Sequence, residues 1–367
     1  MSGLDIAILG LSITSSWGNG HATTYRSLLR ALAERGHRIT FYERDTPWYR
    51  PHRDLEDPPY CRVALYRNLS DIPREHAAAI VGADLVVLGS YVPDGAILAD
   101  WLTTHARGVT AFYDIDTPVT LARLEAGKPD YISAPMIPRF DLYLSFTGGP
   151  VLDLIEERYG SPRARPLYCA VDPDCHAPVT AESRWTLGYL GTYSADRQPT
   201  LQQLLLDAAG QSPEDRFVVA GAQYPDTLQW PDNVDRFEHV APAGHSAFYS
   251  SQRFTLNVTR ADMKATGYSP SVRLFEAAAC GVPIITDRWP GLETFFTPDQ
   301  HILTAETTAD VLDIVRELPE ERRRSIAAAA RRLVMERHTA AHRARELETY
   351  YEDALRHRQR RSIGAVA

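Results

Sequence analysis

Ser269-Pro270-Ser271-Val272-Arg273-Leu274-Phe275-Glu276-Ala277-Ala278-Ala279-Cys280-Gly281-Val282-Pro283 is the stretch that decides the fold. Ser269 is a strong N-cap residue type, and Pro270 suits the first helical position, where an N–H would go unpaired anyway. Gly281 provides a left-handed stop after Cys280. The spacing therefore predicts a helix over 270–280, followed by a buried strand over 283–286. Such a helix points the free N–H groups of roughly Ser271, Val272 and Arg273 outward. Free amides and the helix dipole together favour an anion, and a diphosphate fits such a site. Arg273 adds a charged fork. Glu276 lies farther along the same helix, and a carboxylate accepts hydrogen bonds from two neighbouring sugar hydroxyls. A plain amphipathic helix with a surface Arg and Glu is the alternative reading of these residues.

Strand and helix patterns alternate on both sides of this segment. Upstream, LDIAILG (4–10) reads as a buried strand, and a helix is predicted from Thr23 to Arg35, with Tyr25, Leu28, Leu29 and Leu32 on one face. Further strands are predicted at 37–42, 83–90, 108–116 and 141–146, and Gly148-Gly149-Pro150 opens another helix. Residues 161–183 are rich in proline and polar residues and read as a linker. The pattern then restarts with strands at 186–191, 216–222, 234–240 and 253–258 and a helix at 199–210. Three helical stretches, 308–318, 319–337 and 339–358, close the chain. Strand–helix alternation calls for parallel sheets covered on both faces. The expected organisation is an N-terminal Rossmann-like domain over 1–170, a second over 184–338, and a C-terminal helix and tail over 339–367. Ligands on such sheets sit beyond the strand C-termini, so a cleft between the domains is the expected site.

Length and composition agree with two domains. The chain has 367 residues, 44% of them hydrophobic and 23% charged, which excludes a wholly disordered, collagenous or coiled chain. Its net charge of −8 argues against a nucleic-acid partner, which needs a basic face. No basic segment precedes an apolar run, and no 18-residue apolar stretch occurs, so neither a signal peptide nor a transmembrane helix is expected. The four cysteines, Cys61, Cys169, Cys175 and Cys280, form no C-x-x-C pair, and a cytoplasmic protein with reduced thiols is the expectation. Only Lys128 and Lys264 are lysines; the other 37 basic residues are arginines. Lys264 stands just before the predicted helix, beside Arg260, where a compact point charge suits phosphate.

The motifs carry a resemblance. SPSVRLFEAAACGVPIITD, followed by Gly291, resembles the donor-nucleotide motif of GT-B glycosyltransferases, and in wording it is most similar to the CgeB-like (spore-maturation protein) family. FYDIDTP (112–118), DLYLSFTGGP (141–150), LGYLGTYSADRQ (187–198) and FTLNVTRADM (254–263) resemble that family too, so the similarity runs over residues 4–350. The resemblance implies two Rossmann-like domains facing across a cleft, with the last helix crossing back to the N-terminal domain. It implies a nucleotide-sugar donor on the C-terminal domain and an acceptor on the N-terminal one. Glu276 then becomes the ribose ligand, and Ser271, Val272 and Arg273 the diphosphate cradle. Gly191, Thr192 and Tyr193 resemble the glycine turn close to the donor phosphates. Arg197 resembles a basic phosphate contact, and the loop from His239 to His245 resembles the one that passes the nucleobase. Many retaining relatives place an acid eight residues before the ribose-binding Glu. Tyr268 stands there, so stereochemistry and sugar preference do not transfer.

The N-terminal half offers candidates for the chemistry. Gly18-Asn19-Gly20-His21 follows the first strand and opens the first helix, although G-x-G-x-x-G is absent, which disfavours a dinucleotide-dependent dehydrogenase. His21 is a candidate general base or phosphate partner, because imidazole titrates near neutrality. Helix capping is its alternative role. Asp114 and Asp116, in DIDTP, follow a strand and are expected at the mouth of the site as a base or as acceptor ligands. They share one site only if the strand has ended. No metal site is expected there, nor at His338 and His342, whose i, i+4 spacing lacks an accompanying carboxylate. The reading is a metal-independent and cofactor-free glycosyl transfer. A sugar would move from a nucleoside-diphosphate-sugar donor to an acceptor hydroxyl. Two other readings share the fold: a nucleotide-sugar epimerase or hydrolase, and a catalytically silent sugar-nucleotide binder.

Overall fold

In the computed structural model, which describes residues 3–364, the strands sort into two sheets. The chain divides into one unit of Met1–Cys169 with Ala340–Ala367 and a second of Ala170–Thr339.

The first unit holds β1 (Asp5–Gly10), β2 (Arg38–Arg44), β3 (Arg62–Tyr66), β4 (Leu85–Gly89), β5 (Val109–Asp114), β6 (Leu142–Ser145) and β7 (Ala164–Pro166). They lie in the order β3-β2-β1-β4-β5-β6-β7, with every pair parallel. Ile6 pairs with Ile39 on one side and Leu85 on the other. Leu9, Leu88, Phe112 and Tyr143 bury one face against the covering helices. The strand order reverses direction between β1 and β4, the position at which open α/β sheets bind their ligands. Two strands of this unit lie where none was expected. β3 falls in the polar stretch 44–76, and β7 in the segment read as a linker.

The last helix, Ala340–Gly364, belongs to this unit. Glu348 holds it down. Its carboxylate takes a two-pronged pair from Arg35, with Nε at 2.6 Å from Oε1, and lies 2.9 Å from His37 Nε2. His37 accepts the Leu4 N–H on Nδ1, so the proton on its other nitrogen is the one directed at Glu348. Arg163 pairs with Asp353 at 2.6 Å, and the Tyr350 hydroxyl donates to the Pro166 carbonyl at 3.1 Å.

The second unit holds β8 (Trp185–Leu190), β9 (Phe217–Ala220), β10 (Val234–Phe237), β11 (Gln252–Asn257), β12 (Ile284–Thr286) and β13 (Leu303–Thr304). Their order is β10-β9-β8-β11-β12-β13, again parallel throughout, with the reversal between β8 and β11. Leu187, Leu204, Val219, Leu256 and Ile285 form its core. The predicted 270–280 helix is Val272–Ala279, with Ser271 rather than Ser269 as the N-cap. The ends of the unit meet where the Val171 N–H donates to the His338 carbonyl at 3.1 Å, beside a parallel bridge from Val171 to Thr339.

Candidate functional site

The crevice of the second unit is built from glycine outward. β8 ends at Leu190 and β9 at Ala220, and each is followed by a glycine. A Cβ on Gly221, at φ +154°, would stand 2.0 Å from the Gly191 carbonyl oxygen. The two turns therefore touch backbone to backbone, an approach closed to any other residue type. Gly191 N–H donates to the Ala220 carbonyl at 2.7 Å, and Tyr193 N–H to the Ala222 carbonyl at 2.9 Å.

Arg273 braces this turn from the far side of the crevice. Its guanidinium is buried, donates through Nε to the Leu190 carbonyl at 2.6 Å and through Nη1 to Asn257 Oδ1 at 3.0 Å, and lies 4.5 Å from the centre of the Tyr189 ring. Its remaining nitrogen faces Gly191, where a Cβ would come within 2.7 Å of it. Arg273 is thus a strut under the glycine turn, not the outward fork expected from the sequence. The reason is that its helix lies between the sheet and helix Glu320–Arg337, and Arg273 to Ala279 are all buried.

The start of that helix keeps its expected character. Among the described residues, the N–H groups of Ser271, Val272 and Arg273 donate to no protein acceptor, and Ser271 makes no side-chain cap. The loop leading in is held under strain. Tyr268 adopts φ +50°, donates its N–H to the Pro290 carbonyl at 2.7 Å and lays its ring where a Cβ of Gly291 would be. A non-glycine residue in this conformation persists only where its surroundings impose it.

The basic residues are paired. Arg197 turns back to donate to the Thr192 carbonyl at 2.6 Å, closing the loop that begins at Gly191. Asp196 accepts the Ala261 N–H at 3.0 Å and lies 3.7 Å from Arg260, which ties that loop to helix Ala261–Thr266. Lys264, half-exposed, places Nζ 3.3 Å from Asp287 Oδ2 and is so partly neutralised. Asp287 closes β12 and accepts from Thr259 through both its N–H (3.0 Å) and its hydroxyl (2.8 Å). Burial pushes its carboxyl up, and Thr259 and Lys264 pull it back. Asp287 and Asn257 were missed as site residues, although both stand at the ends of apolar strands, where a lone polar residue is a usable signal.

Glu276 and His245 come together, and a third residue joins them. Glu276 is 4% exposed and accepts from the Tyr249 hydroxyl at 3.4 Å. His245 Nδ1 lies 3.8 Å from one carboxylate oxygen, and His176 Nε2 lies 3.6 Å from the other. Burial pushes the His245 imidazole down, while Glu276 raises it. His176 sits in the stretch read as a linker, and nothing in its spacing pointed to Glu276.

In the first unit, the loop after β1 is organised by a buried acid that sequence reasoning did not single out. Glu43, in β2, accepts from Ser12 Oγ (3.1 Å), Ile13 N–H (2.7 Å) and Thr14 N–H (3.0 Å). Asn19 caps helix Gly20–Glu34 by accepting the His21 N–H at 3.0 Å, so Asn19 and not His21 is the cap. The His21 ring lies 5.4 Å from that of Tyr91, and the Tyr91 hydroxyl donates to Asp116 at 2.7 Å. His21, Tyr91 and Asp116 therefore cluster beyond the ends of β1, β4 and β5. Tyr91 carries φ +64°, a conformation its residue type gave no reason to expect.

Asp114 corrects an expectation. It is the last residue of β5 and wholly buried, accepting from the Tyr143 hydroxyl, Thr120 Oγ1 (2.8 Å) and the Asp116 N–H (3.3 Å). Burial pushes its carboxyl up to about 6 against those hydrogen bonds. The strand has ended before Asp116, yet the two acids still diverge, Asp114 into the core and Asp116 toward Tyr91.

The comparisons with known proteins bear on both units. Residues 197–349 match the family model described as Glycosyl transferase-like. No curated protein matches the chain in sequence. Among solved structures, sucrose-phosphate synthase from Thermosynechococcus elongatus matches with a TM-score of 0.68 at 15% identity, over 95% of this chain and 98% of that one. HepE of Anabaena, in complex with UDP and glucose, matches with a TM-score of 0.70 at 13% identity, over 95% of this chain and all of that one. An alpha-glucosyltransferase, in complex with UDP and a 13-mer DNA, matches with a TM-score of 0.70 at 12% identity, over 96% of this chain and all of that one. At these identities the likeness establishes the fold, and the fold is GT-B.

Proposed function

We propose that this GT-B glycosyltransferase moves a sugar from a nucleoside-diphosphate-sugar donor, bound by the second unit, to an acceptor hydroxyl presented by the first. The observation that carries the reading is the start of helix Val272–Ala279, whose unpaired N–H groups at Ser271, Val272 and Arg273 stand beside the touching Gly191 and Gly221 turns. Bare backbone and a helix N-terminus at the switch point of a parallel sheet form a cradle for a diphosphate. Arg273 stiffens that cradle through Gly191, and Glu276 receives the nucleoside hydroxyls. Several structural neighbours are complexes with UDP or UDP-glucose, which supports UDP-glucose as the first donor to try.

Departure of the nucleoside diphosphate builds negative charge, and fixed amide dipoles stabilise it without reorganising. His21 is the group suited to take the acceptor proton, with Tyr91 packed on its ring and hydrogen-bonded to Asp116. The long motifs, above all residues 269–287, support placing the chain with the CgeB-like glycosyltransferases. Four cysteines with no C-x-x-C pair among them support the cytoplasm as its compartment. No described helix is long and apolar enough to cross a membrane.

Calorimetry of the full chain with UDP and UDP-glucose tests the reading, together with a thermal-shift panel of other nucleoside diphosphates and their sugars. One-to-one binding is expected, with melting temperature rising with ligand occupancy. A flat response to every nucleotide in the panel refutes the donor site. Binding without diphosphate release for any acceptor tried refutes the transfer.

A further inference from the structure

The geometry points to a binding site for one divalent transition-metal ion of the Zn2+ class, formed by His176, His245 and Glu276. The three are buried, at 5%, 9% and 4% exposure, and their ligand atoms all lie within 4.8 Å of one another. His176 Nε2 stands 3.6 Å from Glu276 Oε1, and His245 Nδ1 stands 3.8 Å from Oε2. Both separations are too long for hydrogen bonds. Two donors held about 2.0–2.1 Å from one tetrahedral Zn2+ stand roughly 3.4 Å apart. A modest inward movement of the side chains therefore completes a coordination sphere.

The polar bookkeeping favours an ion as well. Both ring nitrogens of His176 and Nδ1 of His245 are buried and find no hydrogen-bond partner among the described residues, a condition native interiors avoid. His245 Nε2 faces the Val240 carbonyl at 3.2 Å. A carbonyl only accepts, so Nε2 holds the proton and Nδ1 turns a lone pair toward Glu276. An imidazole that ligates through one nitrogen commonly donates from the other to a carbonyl, which fixes its orientation. Two imidazoles and a carboxylate suit Zn2+, with a fourth position for water. The Tyr249 hydroxyl, on Glu276 at 3.4 Å, supports the carboxylate.

The ion would clip together three segments that are distant in sequence: the stretch around His176, helix His245–Ser250 and helix Val272–Ala279. It takes no part in sugar transfer. A carboxylate with one oxygen on a metal keeps acceptor capacity for nucleoside hydroxyls, so the proposal goes beyond the donor reading without competing with it.

The test uses the full chain, stripped with a chelator and titrated with Zn2+ against a chromophoric competitor, and with Co2+ for its visible spectrum. One equivalent of Zn2+ is expected, with a four-coordinate Co2+ spectrum and a melting temperature that rises with Zn2+. His176→Ala and His245→Ala should each weaken Zn2+ binding by more than the roughly 10–100-fold that loss of a supporting partner costs. Circular dichroism identifies any variant that fails to fold, and His176→Gln and His245→Gln then replace it. Zn2+ binding absent from the wild type, or unchanged in the double histidine variant, overturns the site. UDP affinity measured in chelator-treated wild type separates the two readings. UDP binding without Zn2+ binding sinks the metal site alone, and Zn2+ binding without UDP binding sinks the donor site alone.

Discussion

Replacing Arg273 by Ala removes a buried strut and reports on the proposed donor site. The guanidinium makes two charge-assisted hydrogen bonds, to the Leu190 carbonyl at 2.6 Å and Asn257 at 3.0 Å, and lies 4.5 Å from the Tyr189 ring centre. Hydrogen bonds from a charged group contribute about 1.5–3 kcal/mol each, and a desolvated cation–π contact adds about 2 kcal/mol. The contacts share one network and do not add fully, so a net loss of roughly 4 kcal/mol is expected. For a unit of this size each kcal/mol moves the melting temperature by about 2–4 °C, which predicts a fall on the order of 10 °C. UDP affinity, measured by calorimetry well below that melting point, should fall about tenfold or more as the Gly191 turn relaxes. The salt dependence of binding should stay as in the wild type, because Arg273 acts through backbone and not as an ionic phosphate contact. Arg273→Lys should recover only part of the stability, since an ammonium cannot reproduce the planar fork. A melting temperature within a degree of wild type refutes the strut. An affinity loss that vanishes at high salt shows a direct ionic contact with phosphate instead.

Three further outcomes follow from other contacts. Asp114, at about 6 in the folded chain against 3.8 for the free group, is stabilised in its protonated form by folding, so its contribution is full below the unfolded value and lost as pH rises through 6. A two-unit shift is about 3 kcal/mol; relative to Asp114→Asn, the wild type should lose about that much stability between pH 4 and 8 in parallel melts, and a pH-independent difference contradicts the burial argument. Gly221→Ala puts a Cβ 2.0 Å from the Gly191 carbonyl at a φ that L residues rarely adopt; it should abolish UDP binding or folding of the second unit, and retained wild-type affinity refutes the close approach. Glu348→Gln weakens the Arg35 and His37 contacts and should destabilise the first unit by about 1–3 kcal/mol in thermal melts. Arg35 and His37 hold the Glu348 carboxyl below its usual range, so this stabilisation is present above the unfolded value and disappears on acidification, and a deficit that does not shrink as the pH falls below the unfolded value argues against it.

The sequence by itself determined the period-two and period-3.6 patterns, and with them the parallel strands, the two sheets and the helix start near Ser271–Arg273. These are local properties, set by capping residues, glycine stops and apolar spacing within a dozen residues. Sequence also marked Gly191, because a glycine after a buried strand is itself a statement about backbone approach. It did not show β3, β7 or β13, whose five-, three- and two-residue lengths leave too few periods to read.

Only the tertiary structure decided where side chains point once the elements pack. Arg273 turned inward because its helix is enclosed between the sheet and helix Glu320–Arg337, and Asp114 was sealed because β5 is covered on both faces. Tyr91 joined His21 and Asp116 through a left-handed backbone that its residue type disfavours. The His176, His245 and Glu276 group is the plainest case. Its members lie 69 and 31 residues apart along the chain, and no spacing rule connects them. Their meeting is a property of how three loops and helices close over one end of a sheet, which local physics cannot specify and long-range packing does.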